Sequence, residues 1–241
     1  MTVTARVAVT IQHLPLGEVF GYQDIPEYQR APTAVVKALS RMVNSNQIKR
    51  IERGRFYRPK QGLLGEIKPS DNALLKSLLY KDGCMRGYVT GTSLFNQLGL
   101  STQVPIVVTI AVAGAPQQKD FGRLQVKLVK ARAPVTAETV TLLQYLDVLR
   151  EIKKIPDTDI NQSLTRMEKR LAQLDEASIK RIKPLALQYY PAQVQALLGL
   201  LLQRQTGVVD KKLKQALNPL TRFKMGLDPV SWPEQKTWNI K

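Results

Sequence analysis

Thr33, Lys37, Ser40, Arg41 and Asn44 recur at intervals of three and four, so a helix through them would set all five on one face. Their hydroxyl, ammonium, guanidinium and amide groups are those that hydrogen-bond to base edges in a major groove. Arginines surround them: Arg30 just before, then Arg50, Arg53, Arg55 and Arg58 just after. Cations so placed suit phosphate contacts or a narrow minor groove. The expectation is that Thr33, Lys37, Ser40 and Arg41, with Asn44 on the same face, meet base edges. Arg30, Arg53, Arg55 and Arg58 would hold the backbone.

Other chemistry is sparse. The one histidine, His13, stands on the polar side of a helical stretch. The one cysteine, Cys84, excludes an intrachain disulfide and a multi-cysteine zinc site, and it reads as a small buried residue. Asp157 and Asp159 form a D-x-D pair after Pro156, without a second acidic site, and read as a helix cap before Ile160. Neither a P-loop nor a dinucleotide fingerprint occurs. A binding protein without catalytic residues, cofactor or metal is expected. A second cationic group, Arg166, Lys169, Arg170, Lys180, Arg181 and Lys183, would offer a face to an acidic protein or to RNA.

The elements that would carry the first group are readable. Residues 2–14 suggest a first helix, with Val3, Val7, Ile11 and Leu14 on one side. Glu18–Phe20 can form a short strand, and Asp24–Gln29 a second short helix. Pro32 suits the first turn of a third helix, whose inner face would hold Val36, Leu39 and Val43, with Val35 and Met42 beside them. Two basic strands come next, joined through Glu52-Arg53-Gly54, where glycine can take positive φ. Helix, strand, helix, turn, helix and hairpin is the order of a winged helix-turn-helix.

The fold class expected is α+β, mostly helical, in three segments: a winged helix-turn-helix over 1–60, a small α/β unit over 61–134 and a helical, partner-binding domain over 135–241. Residues 60–68 read as a linker and 81–83 as a turn. In the middle segment Pro105–Val112 and Arg123–Val129 read as an antiparallel pair. In the last, apolar residues keep a helical period, as at Val194, Leu197, Leu198, Leu201 and Leu202. Pro156, Pro184 and Pro191 mark breaks, and Trp232 and Trp238 would dock the tail. The net charge of +17 favours a polyanionic partner, and it is spread along all three segments. No bilayer-spanning apolar run or signal peptide is evident, and the single cysteine fits a reducing cytoplasm, the expected compartment.

Several stretches together resemble a known family. They are Arg53-Gly54-Arg55-Phe56-Tyr57, Gly87-Tyr88-Val89-Thr90-Gly91, the run Asn96–Pro105, Tyr190-Pro191 with Val194–Gly199, Leu220–Leu227, and Trp238-Asn239-Ile240. In this order they resemble the AbiEi-like antitoxins of abortive-infection, phage-defence toxin–antitoxin pairs. The resemblance implies a transcriptional repressor acting on its own promoter at inverted repeats in double-stranded DNA. It implies a larger C-terminal part that neutralises a neighbouring toxin, typically a nucleotidyltransferase. Two other readings remain open: a protein- or RNA-binding module whose winged helix is a scaffold, and a ligand-sensing transcription factor.

Overall fold

The computed structural model describes residues 1–63, 65–81 and 83–241. It is an α+β protein in two compact units, Met1–Arg86 and Gly87–Lys241. The three segments expected from the sequence divide differently. The chain beyond residue 60 belongs to the first unit as far as Arg86, and the strands after that join the helices.

The first unit starts with α1 (Val3–His13), capped by the Thr2 hydroxyl, which accepts from the Ala5 amide. Strand β1 (Val19–Gly21) and two 3-10 turns, Tyr22–Asp24 and Pro26–Gln29, lead to α2 (Pro32–Asn44). The short helix expected over Asp24–Gln29 is present as 3-10 geometry, the second of these turns covering Pro26–Gln29. Asp24 is spent on closing the first of them, accepting from the Gly21 amide at 2.7 Å, and Pro26 cannot donate within a helix. Strands β2 (Lys49–Glu52) and β3 (Arg55–Tyr57) form the hairpin, turning at Gly54 with φ of 77°. Strand β1 pairs with β3, Phe20 opposite Phe56, giving the sheet order β1-β3-β2. Val7, Ile11, Phe20, Ile25, Val35, Ala38, Leu39, Ile48 and Phe56 close one core.

The expected linker is a hairpin, β4 (Lys60–Gly62) and β5 (Gly65–Ile67); its Leu64 lies outside the described residues. Tyr57 donates to Glu66 at 2.6 Å, tying this hairpin to β3. Next comes α3 (Asp71–Leu79), capped as expected by Ser70, then β6 (Tyr80–Lys81) and β7 (Cys84–Met85). Of the turn expected at 81–83, Asp82 lies outside the described residues. Cys84 is exposed, not buried; its two-residue strand pairs with β6 opposite Lys81, a surface ribbon with no core beneath it at that position.

The second unit opens with β8 (Gly87–Thr90) and α4 (Gly91–Gln97), then β9 (Val107–Val112), β10 (Gln117–Asp120) and β11 (Gln125–Lys130). The sheet order is β10-β11-β9-β8. Leu124, Val126 and Leu128 are buried, as their alternation requires. The antiparallel pairing expected of β9 and β11 is parallel instead. The polar strand β10 intervenes, reverses the chain twice and takes the outer edge beside β11. Gln-Gln-Lys-Asp has no apolar alternation to read, which is what an exposed edge tolerates.

Helices α5 (Val140–Glu151), α6 (Ile160–Leu171), α7 (Glu176–Tyr189), α8 (Ala192–Thr206) and α9 (Lys211–Gln215) complete this unit. Asp159 caps α6, accepting from the Asn161 amide at 3.0 Å, whereas Asp157 accepts from the Gln103 side chain. The D-x-D pair is therefore split between two structural tasks. Pro184 lies inside α7 and does not break it. The middle of α8 is surrounded: every residue from Val194 to Leu202, Gln195 among them, is buried. Among the described residues no helix is long and apolar enough to cross a membrane.

Burial and the Glu66 carboxylate push the Tyr57 phenol up to about 12. Burial and Asp147 push Tyr88 and Tyr190 higher still. A folded-state value above the unfolded one stabilises below the ordinary value near 10 and loses that stability as pH rises through the folded value. Stability is expected to fall above about pH 10. In a base titration read by phenolate absorbance, Tyr88 and Tyr190 should ionise only as the second unit unfolds. Early ionisation of all tyrosines in a still-folded chain would contradict this.

Candidate nucleic-acid interface

Helix α2 is amphipathic in a way that frees one face. Val35, Ala38 and Leu39 are buried against Val7, Ile11, Ile25 and Ile48. Thr33, Lys37, Ser40, Arg41 and Asn44 are exposed on the other side, as the spacing requires. The inward face is rotated from the one expected, because α1 and Ile25 meet the helix at Val35 and Ala38. Val36 is consequently 38% exposed and joins the outer stripe between Thr33 and Ser40. An apolar side chain there suits a thymine methyl. Counting along the sequence misses it, since every valine is assigned to the core.

The flanking arginines separate into two kinds. Arg30, ahead of α2, and Arg53, in the hairpin turn, are exposed. So is Arg50 on β2, whose Nε donates to the Glu52 carbonyl. Arg55 is instead half-buried. Its guanidinium donates to the Ser77 carbonyl and hydroxyl and lies 3.0 Å from Glu52. Burial lowers its pKa, opposed by the Glu52 and Asp24 carboxylates. Arg58 donates to the Gln12 and Leu14 carbonyls at 2.7 and 2.6 Å, so it caps the C-terminal end of α1. Arg55 and Arg58 therefore hold the first unit together and are not available to a phosphate without breaking these bonds. Nothing local distinguishes them from Arg53; their acceptors lie 22 and more than 40 residues away. Arg41 keeps its exposure while donating to the Lys37 carbonyl and the Thr4 hydroxyl.

Two arginines of the cationic cluster expected in the second unit are tied into its fold, and three other members form ion pairs at its surface. Arg166 donates to the Gly99 carbonyl and Arg170 to the Leu98 carbonyl at 2.9 Å. Both clasp the end of α4, where Gly99 has φ of 66°. Lys180 pairs with Glu176, Arg181 with Glu138 and Lys183 with Asp210. Lys169 is exposed. No group of three or more histidine, cysteine or carboxylate side chains that could hold a metal occurs among the described residues.

A family model matches residues 6–179, well over half of the chain and all but the start of the first unit. The chain belongs to DUF6088, a family of unknown function. The DUF6088 match contains the whole α2 stripe, the β2–β3 hairpin and the sheet of the second unit, and it stops in the first turn of α7. No curated protein matches the chain.

Proposed function

We propose that the first unit is a winged helix-turn-helix that binds double-stranded DNA, with α2 in the major groove and the β2–β3 hairpin along the backbone. The observation that carries this reading is the exposed stripe of α2, Thr33, Val36, Lys37, Ser40, Arg41 and Asn44, backed by a closed core. Arg30, Arg50 and Arg53 supply phosphate contacts beside it. The whole chain then acts as a repressor of its own promoter at inverted repeats. Given the resemblance to AbiEi-like antitoxins, the second unit is the antitoxin part, neutralising a neighbouring toxin of the nucleotidyltransferase kind by binding rather than catalysis. Acting on the chromosome, the protein works in the cytoplasm.

A gel-shift titration on the DNA upstream of the gene tests the DNA contact. The wild type should prefer that sequence over scrambled DNA. Lys37→Ala should relax the preference by about 1–3 kcal/mol. Arg53→Ala should weaken binding to all sequences and lower the salt slope by about one. Arg58→Ala should lower the melting temperature before it alters sequence preference. Equal wild-type affinity for both DNAs sinks the repressor reading. For the antitoxin role, full-length Lys37→Ala should still rescue cells from the neighbouring toxin; loss of rescue would tie neutralisation to the DNA face.

A further inference from the structure

The second unit contains a cleft of about 360 Å³ that the proposed DNA contact does not use. Clefts of about 300–1,000 Å³ are of small-ligand size. Its floor is a buried network. Asp147 of α5 is 6% exposed. It accepts from the Tyr88 hydroxyl at 3.0 Å, the Thr90 hydroxyl at 2.8 Å and the Tyr190 hydroxyl at 2.9 Å. Both carboxylate oxygens are thus engaged by neutral donors drawn from β8 and the end of α7.

The walls are cationic. Lys130 ends β11, Arg132 stands two residues beyond it, Arg150 is on α5 and Lys154 on the next 3-10 turn. Only the fold brings the residues after β11 and those ending α5 to one opening. Glu151 is the acid at the rim, already engaged by Arg150 at 2.6 Å and Lys154 at 2.8 Å. The Arg150 Nε–H is buried and has no acceptor among the described residues. Arg132 lies over the Tyr190 ring, 5.9 Å from its centroid, and its N–H donors have no acceptor among the described residues. A buried N–H without an acceptor is costly, and a ligand oxygen would satisfy it.

We propose that this cleft binds a small phosphate-bearing ligand, held by Arg150, Arg132 and Lys130 over a floor of Tyr88, Thr90 and Asp147. A phosphate offers several acceptor oxygens and nearly two charges, enough to meet two guanidinium forks and an ammonium together. A carboxylate would leave donors unmet. The hydroxyl floor keeps Asp147 from facing the anion as a bare charge. Phosphate binding here involves the second unit alone and does not depend on DNA binding by the first.

The test is calorimetric titration of the full chain with inorganic phosphate, inorganic pyrophosphate and adenosine monophosphate in turn. Saturable binding of at least one is expected, weakening with salt. Lys130→Ala and Arg132→Ala, both at exposed positions, should each weaken it about tenfold or more while leaving the circular dichroism spectrum unchanged. Lys37→Ala should leave it unchanged. A preference for adenosine monophosphate would identify a nucleotide; equal binding of the inorganic anions would identify the phosphate group alone. No saturable heat with any of the three overturns the proposal. So does unaltered affinity in both folded cleft variants, or loss of affinity in Lys37→Ala, which would move the site to the first unit.

Discussion

Replacing Trp238 by alanine is expected to cost about 3–5 kcal/mol, the usual range for deleting a fully buried aromatic ring. Trp238 is 0% exposed. Its ring occupies the place a Cβ would need at Gly199, in the middle of α8, and its indole N–H donates to Gln203 at 2.8 Å. The last turn is further held by two backbone bonds of 2.8 Å, from the Phe223 amide to the Asn239 carbonyl and from the Lys241 amide to the Phe223 carbonyl. Lys214 also donates to the Thr237 carbonyl. For a unit of this size each kcal/mol moves the melting temperature by about 2–4 °C. The second unit should therefore melt roughly 10 °C lower, read by differential scanning calorimetry. Gly199→Leu should do comparable damage from the other side, because ring and side chain cannot share the space. If both variants melted within a degree or two of wild type, the docked tail would contribute nothing to the core.

Asp147→Leu is expected to be as costly, about 3–5 kcal/mol, for a different reason. It leaves the hydroxyls of Tyr88, Thr90 and Tyr190 without their shared acceptor. Each orphaned buried hydroxyl costs roughly 1–3 kcal/mol, and the three are too close to add independently. Asp147→Asn keeps one acceptor oxygen and should fall between wild type and Asp147→Leu in urea denaturation. Removing a buried carboxylate also relieves its desolvation, which works the other way. Here three hydrogen bonds already offset that cost, so the net sign is destabilising. A leucine variant as stable as wild type would show the network to be dispensable to the fold.

The α2 stripe and the tail show how much a linear chain reveals. Thr33, Lys37, Ser40, Arg41 and Asn44 were legible because helical period is local, and a period of 3.6 assigns faces from neighbours alone. The alternation of Leu124, Val126 and Leu128 was legible for the same reason, as were the caps at Ser70 and Asp159. The face of Val36 was not. Rotation of a helix is set by what packs on it, here α1 and Ile25. Arg55 and Arg58 failed similarly: an arginine beside a glycine turn looks like a phosphate ligand until distant carbonyls claim its donors. The strand β10 lacked any pattern, and with it went the direction of the β9–β11 pairing.

Composition, charge and local periodicity alone determined that this chain is basic, α+β, without an intrachain disulfide, and carries an amphipathic helix with a basic hairpin after it. Those properties depend on residues within a few turns of one another. Tertiary structure decided where the units divide, which arginines remain free, and that Asp147, Tyr88, Thr90 and Tyr190 meet beneath Lys130, Arg132 and Arg150. Such groupings join residues some 40 to 60 positions apart. They arise because burying polar groups demands partners, and the partner is whichever one the folded core brings within reach.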